Sequence, residues 1–323
     1  MIQEAIPTLK NLLSKKNWSS SYLDSDKNFP DILLTNPSII EFQGRVIVAQ
    51  RKLNNISGKL AFSWRENRSS IVLHYLSIET GMTDFIKEID VSMISNFCSI
   101  EDPRLNIFNA KLEIWACGWK FSKSNQVIIQ QVLIKLDKNF DVESYIVFDE
   151  YDDMEYIPEK NWQPILNSDL YIYKAQHEHI VISRSSKKRY ISKGLSWDFG
   201  EIHGGTQVIE HKGVNLCFFQ SSLPLNAADT NNNQFPSKYF VGAYCFEVEP
   251  PFKIIEFSSK PIIEASFDNK AIHGSPAVLF PSGLMSHNNE IILSIGVNDC
   301  SSFILRIPHN EISTFLNFDQ LKP

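Results

Sequence analysis

Glu101-Asp102-Pro103-Arg104 stands at the start of an apolar run, Leu105 to Trp119, and signatures of this kind divide the chain. Proline fixes φ and is tolerated where a strand begins, so the acid and base beside it can be held in one geometry. Four similar polar signatures precede apolar strands: Asn36-Pro37-Ser38, Glu159-Lys160-Asn161-Trp162-Gln163-Pro164, His203-Gly204-Gly205-Thr206 and His273-Gly274-Ser275-Pro276. They recur about every 40 to 70 residues, close to the period of a propeller blade. Between them lie short β-branched and aromatic runs such as Gly44 to Arg51, Val214 to Ser221 and Tyr239 to Glu247, separated by Asn, Asp, Gly, Pro and Ser. Helical periodicity is confined to the ends, Ile6 to Leu13 and His309 to Phe318.

Strands without alternating helices exclude a doubly wound fold, and a single sandwich is usually shorter than this chain. The pattern predicts an all-β, five-bladed β-propeller with short terminal helices. It is expected to form one domain over 1–323, with 1–30 as an N-terminal extension and 309–323 as a C-terminal helix. In a propeller the innermost strands begin at one end of the central channel. The five signatures would therefore converge on one funnel; the alternative is that each is an ordinary loop-to-strand turn.

Composition limits the function classes. The 323 residues are 43% hydrophobic and 21% charged, with a net charge of −6, ordinary for a soluble globular protein and unsuited to a basic nucleic-acid groove. Only Ser183 to Lys193 is notably basic, and it reads as a solvated turn. Five widely spaced cysteines, with no CxxC pair, suggest buried free thiols and no zinc site. No signal peptide or membrane-length apolar run is evident. The expectation is a cytoplasmic protein with no membrane insertion, no nucleic-acid partner, no metal and no cofactor; self-association is left open.

The residue chemistry points to sugars. Glycosyl transfer needs a carboxyl group to manage the proton on the bridging oxygen, and a polar shell to orient the ring. Asp102 is the candidate acid, and Arg104 is a candidate to orient it or hold its charged form. Were water the second reactant, Glu101, Glu159 or Glu201 would be candidate bases. Trp162 is a candidate to stack on a sugar face or to pack between blades. His273 is a candidate to line the fifth blade's share of the funnel. His177 and His179 form an HxH pair without an evident third ligand. The polar stretch Asn226 to Ser237 reads as a surface loop.

Asn36-Pro37-Ser38, Arg51, Glu101-Asp102-Pro103-Arg104, Glu159-Lys160-Asn161-Trp162-Gln163-Pro164, His203-Gly204-Gly205-Thr206, Phe280-Pro281-Ser282-Gly283 and Gly296-Val297-Asn298-Asp299 together resemble glycoside hydrolase family 130 and its relatives. That group comprises five-bladed propellers: mannoside phosphorylases, some β-mannosidases and related mannosyltransferases. The resemblance covers Asn36 to Ile307. It implies that Asp102 is the catalytic acid, that Asn36, Arg51 and Asp299 hold the transferred sugar, and that Lys160 and Asn161 contact phosphate. His203 and Thr206 fall near the acceptor or phosphate. Two positions depart from the family pattern: Tyr173-Lys174-Ala175 replaces a strand that usually carries Arg, and Gly205-Thr206-Gln207 replaces Gly-Thr-Pro. The expected activity is inverting glycosyl transfer on a mannoside-like glycan, with a nucleotide sugar, sugar phosphate or phosphate as co-substrate. A β-mannoside hydrolase and a non-catalytic glycan-binding propeller are the alternatives.

Overall fold

The computed structural model describes residues 18–23, 33–54, 68–90, 92, 94, 97–148, 160–224, 237–265, 278–299 and 301–317. They form five antiparallel sheets. The first blade is β2 (Leu33–Phe42), β3 (Arg45–Asn54), β4 (Arg68–Leu76) and β5 (Thr83–Ile89). The second is β6 (Ser99–Phe108), β7 (Lys111–Phe121), β8 (Val127–Leu136) and β9 (Val142–Val147). The third is β10 (Gln163–Pro164), β11 (Leu170–Lys174), β12 (Glu178–Ser183) and β13 (Arg189–Lys193). The fourth runs through β14 (Glu201–Gly205), β16 (Val214–Pro224), β17 (Ser237–Phe246) and β18 (Ile254–Phe257), with β15 (Ile209–His211) and β19 (Ile263–Glu264) alongside. The fifth is β20 (Leu279–His287), β21 (Glu290–Val297) and β22 (Ser301–Pro308).

The fifth sheet is completed by β1 (Ser19–Tyr22), which pairs with β22 in the register Ser19↔Arg306. Part of the stretch expected as an N-terminal extension thus closes the ring. Of the expected C-terminal helix, only His309–Ile312 is helical among the described residues; turns follow, and Ile312 and Leu316 bury against the fourth and fifth blades. The expected helix at Ile6–Leu13 and the Asn226–Pro236 part of the polar stretch lie outside the described residues. No helix among the described residues is long and apolar enough to cross a membrane.

Local chemistry explains the hairpins. Four innermost hairpins turn on residue pairs with positive φ: Gln43-Gly44, Asn109-Ala110, Lys212-Gly213 and Asn288-Asn289. Two consecutive left-handed residues match the twist of the flanking strands. Side chains then alternate between neighbouring blades. Ile39 packs toward the fifth blade and Ile40 toward the second; Phe218 packs toward the fifth and Phe219 toward the third. The core is accordingly five inter-blade layers rather than one centre.

Polar clasps join the blades near the axis. Gln163 Nε2 donates to the Thr206 carbonyl at 2.9 Å, and Ser282 Oγ donates to the Pro37 carbonyl at 2.7 Å. Gln207, one of the departures from the family pattern, donates to the carbonyls of Ile39 at 2.7 Å and Leu284 at 2.8 Å. One amide therefore ties the fourth blade to the first and the fifth.

Candidate active site

Four of the five inner strands carry one extra residue near their start. The register shifts between Thr35 and Ser38, between Glu101 and Arg104, between Ile202 and Gly205, and between Pro281 and Gly283. In the first three the bulge contains a left-handed residue: Asn36 (φ 51°), Asp102 (φ 56°) and Gly204 (φ 80°). Asn161 (φ 64°) adopts the same conformation just before β10. Asn, Asp and Gly are the residues that enter this region at least cost. Pro37 and Pro103 follow two of them on strands whose channel side has no ladder partner, so the missing N–H breaks no sheet bond.

The bulges meet. Asn36 Nδ2 donates to Asp102 Oδ1 at 2.8 Å and reaches Asp299 Oδ1 at 3.4 Å. Arg51 lies 2.6 Å from Glu101 Oε2 and 3.8 Å from Asp102 Oδ1. Asp299 follows β21 and is itself left-handed, as is Asn298, whose side-chain oxygen accepts from Val278 N. First, second and fifth blades thus supply three carboxylates, one amide and one guanidinium to one cluster.

The charges are strongly coupled. Burial raises the pKa of Glu101; Arg51 opposes this, while Asp102 and Asp299 add to it. Burial works against the Arg51 charge, but Glu101, Asp102 and Asp299 outweigh it and raise its pKa. Beneath Glu101, the buried Cys117 thiol is pushed up to about 12 by burial and then by Asp102 and Glu101. It is an inert thiol at neutral pH.

The third and fourth blades face this cluster. Lys160 is exposed. Protein crowded around its ammonium costs it some solvation, which lowers the pKa, but Cys117, Glu101, Asp102 and Tyr239 outweigh this and raise it, so it stays charged. His203 is partly buried, and its Nε2 is 2.8 Å from Ser222 Oγ. Burial lowers the His203 pKa, against Glu201 and together with Lys160, which favours the neutral ring.

Several expected roles are corrected. Arg104 is fully buried and does not bind the Asp102 carboxylate. It donates to the Asp102 carbonyl at 3.1 Å, to Asn161 Oδ1 at 3.2 Å and to the Gly205 carbonyl. It ties the bulges of the second and fourth blades to the Asn161 turn of the third, and its burial leaves it nothing to offer a ligand. Asn161 is buried and spends its side-chain oxygen on Arg104, so it acts chiefly as part of that lock. Trp162 is a core residue, stacked on Tyr171 at 4.7 Å: the left-handed turn at Asn161 sends the next side chain between the blades. Thr206 is fully buried, and its hydroxyl accepts from Phe218 N at 3.1 Å. Glu201 is exposed; Glu159 and His273 lie outside the described residues.

The HxH pair does not converge either. His179 is buried with Nδ1 2.8 Å from the Phe252 carbonyl, whereas His177 is exposed. No group of three His, Cys, Asp or Glu residues suited to a metal occurs among the described residues. The basic segment is more structural than expected: Arg184 forms a 2.8 Å ion pair with the buried Glu113 of the second blade. Tyr239 is a neighbour of the site that sequence reasoning missed. Its hydroxyl senses Lys160, Asp299 and Asp102, although nothing in Tyr239 to Glu247 sets it apart from strand aromatics.

No protein-family model and no curated protein matches the sequence. Solved structures do. The chain resembles a β-1,2-mannobiose phosphorylase from Listeria innocua, at TM-score 0.63 and 14% identity over 95% of this chain and 100% of that one. It also resembles a structure described under the GH130 family of mannoside phosphorylases, containing glycoside hydrolases that target β-1,2 mannosidic linkages in Candida mannan (TM-score 0.61, 13% identity, 86% and 85% covered). A third is MPT-4, a mannose phosphorylase from Leishmania mexicana in complex with phosphate ion (TM-score 0.54, 15% identity, 94% and 92% covered). The protein therefore has the five-bladed propeller fold of these enzymes.

Proposed function

We propose that the protein is a carbohydrate-active enzyme that catalyses inverting glycosyl transfer on a mannoside-like substrate, either with phosphate as the acceptor or with a sugar phosphate or nucleotide sugar as the donor. The observation that carries this reading is the Asp102 carboxylate, held by Asn36 within a carboxylate cluster whose charge reaches Lys160, itself a neighbour of His203. Asp102 manages the proton on the bridging oxygen. Asn36, Arg51 and Asp299 hold the sugar hydroxyls. Lys160 and neutral His203 hold the incoming or departing oxyanion on the opposite face, so no second catalytic carboxylate is required. Cytoplasmic residence remains part of the proposal; the described cysteines are free thiols, which suits a reducing compartment.

A β-mannoside hydrolase is the second reading. One observation favours it: Lys174, in the strand where related phosphorylases carry Arg, is exposed and lies 3.9 Å from Glu178. The test incubates purified protein with β-1,2-mannobiose, with and without phosphate, and with GDP-mannose plus manno-oligosaccharide acceptors. Phosphate-dependent release of mannose 1-phosphate, or elongation from GDP-mannose, supports the first reading; mannose release independent of phosphate supports the second. In either case Asp102→Asn should lower the rate by roughly three orders of magnitude. Turnover by neither wild type nor variant, with oligosaccharide still bound, would leave a glycan-binding protein.

A further inference from the structure

The innermost strand of each blade pairs along one edge only, so its other edge turns backbone groups without ladder partners toward the axis. The Ile39 carbonyl on β2 and the Leu284 carbonyl on β20 converge there on one side chain. Gln207, fully buried in the link from β14 to β15, donates from Nε2 to the first at 2.7 Å and to the second at 2.8 Å. An amide nitrogen carries two N–H groups, one for each carbonyl, and its oxygen could not take the same place without repulsion. Proline, the family-pattern residue at this position, could donate to neither.

The link that carries Gln207 is held from the other sides as well. Arg104 of the second blade donates to the Gly205 carbonyl. In the third blade, Gln163 Nε2 donates to the Thr206 carbonyl at 2.9 Å, and the Pro164 carbonyl accepts from Val208 N at 2.8 Å. Gly205 abuts the Phe218 and Phe219 backbone so closely that a methyl carbon there would sit well under 3.0 Å from it. Residues 205–208 are therefore where all five blades meet. A closed circuit of contacts runs out from this point. Gln207 holds Ile39; the Oγ of the preceding Ser38 accepts from Leu105 N at 2.9 Å. Arg104, just before Leu105, holds Gly205, which leads back to Gln207. Asn36 and Asp102 each stand two residues before a member of the circuit, Ser38 and Arg104. Their own 2.8 Å bond spans the same gap between the first and second blades.

We propose that Gln207 is a positioning residue for glycosyl transfer, setting the Asn36 bulge against the Asp102 bulge from the fourth blade without touching the ligand. The inference rests on the glycosyl-transfer reading above. Without the amide, two desolvated carbonyls lose their donor, and a buried carbonyl left unpaired draws its strand edge toward another donor or water. The circuit then opens at Gln207, and the Asn36–Asp102 bond is no longer held at a fixed length. A displacement of about 1 Å in a reacting constellation can cost up to about 100-fold in rate. The loss falls on the transition state, where the Asp102 proton must align with the bridging oxygen, more than on ground-state binding of the sugar hydroxyls.

The test is steady-state kinetics of wild type, Gln207→Leu and Gln207→Glu on β-1,2-mannobiose, with and without phosphate, and on GDP-mannose with manno-oligosaccharide acceptors. Each protein is followed across the pH range in which circular dichroism shows the wild type folded. Gln207→Leu should lower kcat roughly 10- to 100-fold while KM stays within about twofold. Gln207→Glu keeps the shape and, as the neutral acid, donates to one carbonyl; burial against two carbonyls raises its pKa. Its kcat relative to wild type should be highest at the acid end and fall reversibly as pH rises, with the circular dichroism unchanged. A residue that only stabilises the fold would give neither that profile nor a kcat loss at constant KM in folded protein. If Gln207→Leu does not fold, the pH profile of Gln207→Glu decides. Wild-type kcat in the folded variants at every pH, or losses confined to KM, would overturn the positioning role and keep the enzyme. No turnover by wild type in any of these assays would remove both.

Discussion

Gly296→Ala tests whether the catalytic arrangement depends on close packing behind Asn36. Gly296 lies on β21, and a methyl carbon there would sit far under 3.0 Å from Asn36 Oδ1 and 2.9 Å from Asn36 N. The Asn36 backbone is tied into the β2 bulge by Pro37, whose carbonyl accepts from Ser282 and Ser294. The side chain must therefore give way, by about 1 Å or more. The Asn36 Nδ2 to Asp102 Oδ1 bond is 2.8 Å, and such a shift takes it beyond hydrogen-bonding range. A bond to a charged carboxylate contributes about 1.5–3 kcal/mol, which corresponds to roughly a 10- to 100-fold loss in kcat/KM.

The assay is kcat/KM on β-1,2-mannobiose for Gly296→Ala, Asn36→Ala and the double variant, with melting temperatures for all three. If Gly296 acts through Asn36, the double variant should be no slower than Asn36→Ala alone. Strictly additive losses, or wild-type kinetics in Gly296→Ala, would refute the reasoning. Asn36 would then not be held by the wall that the geometry indicates.

Arg104→Met should destabilise the fold by about 3 kcal/mol in urea titration, because it strands the acceptors of Asp102, Asn161 and Gly205; an unchanged midpoint would show that the lock is dispensable. Trp162→Phe should leave oligosaccharide affinity within twofold while lowering stability by about 1–2 kcal/mol, since the ring stacks on Tyr171; a large affinity loss would restore a stacking role. His179 has a folded pKa lowered to about 4 by burial, against its Phe252 bond. Its stabilisation is therefore complete above the unfolded value near 6.5 and is lost as pH falls through 6.5 toward 4, by about 3 kcal/mol at the limit. His179→Gln should lessen the pH dependence of urea stability across that window, the remainder coming from His211, which burial also lowers to about 4; an undiminished slope would contradict the assignment.

The propeller was legible because its repeat leaves chemical traces: polar residues that tolerate left-handed backbone, then β-branched runs. Asn36, Asp102 and Asn161 each mark a strand start for that reason. Which way the next side chain points was less legible. The left-handed turn at Asn161 settles Trp162, open to either reading, as a core residue, and the bulge before Gly205 turns Thr206, expected near the ligand, into the core. Arg104 was read beside Asp102 because the two are near in sequence, but its partners lie in the third and fourth blades. Tyr239 was hidden for the opposite reason: its neighbours Lys160, Asp102 and Asp299 are brought to it by the ring closure alone.

The repeated bulge also accounts for why the site sits where it does. A left-handed position admits Gly, Asn or Asp most cheaply, and of these only Asn and Asp carry polar side chains. A propeller that bulges four of its five inner strands near the same end therefore gathers amides and carboxylates there with little conformational penalty. Burying Glu101 and Asp102, with the partly buried Asp299 beside them, would be prohibitive without compensation. Arg51 offsets part of it, and the rest leaves an excess of negative charge around Asp102. Lys160 places the positive charge on the other wall. The resulting field runs across the channel, favouring positive charge that develops on a sugar ring and negative charge on the group across from it. An inverting glycosyl transfer through an oxocarbenium-like transition state develops charge in that sense.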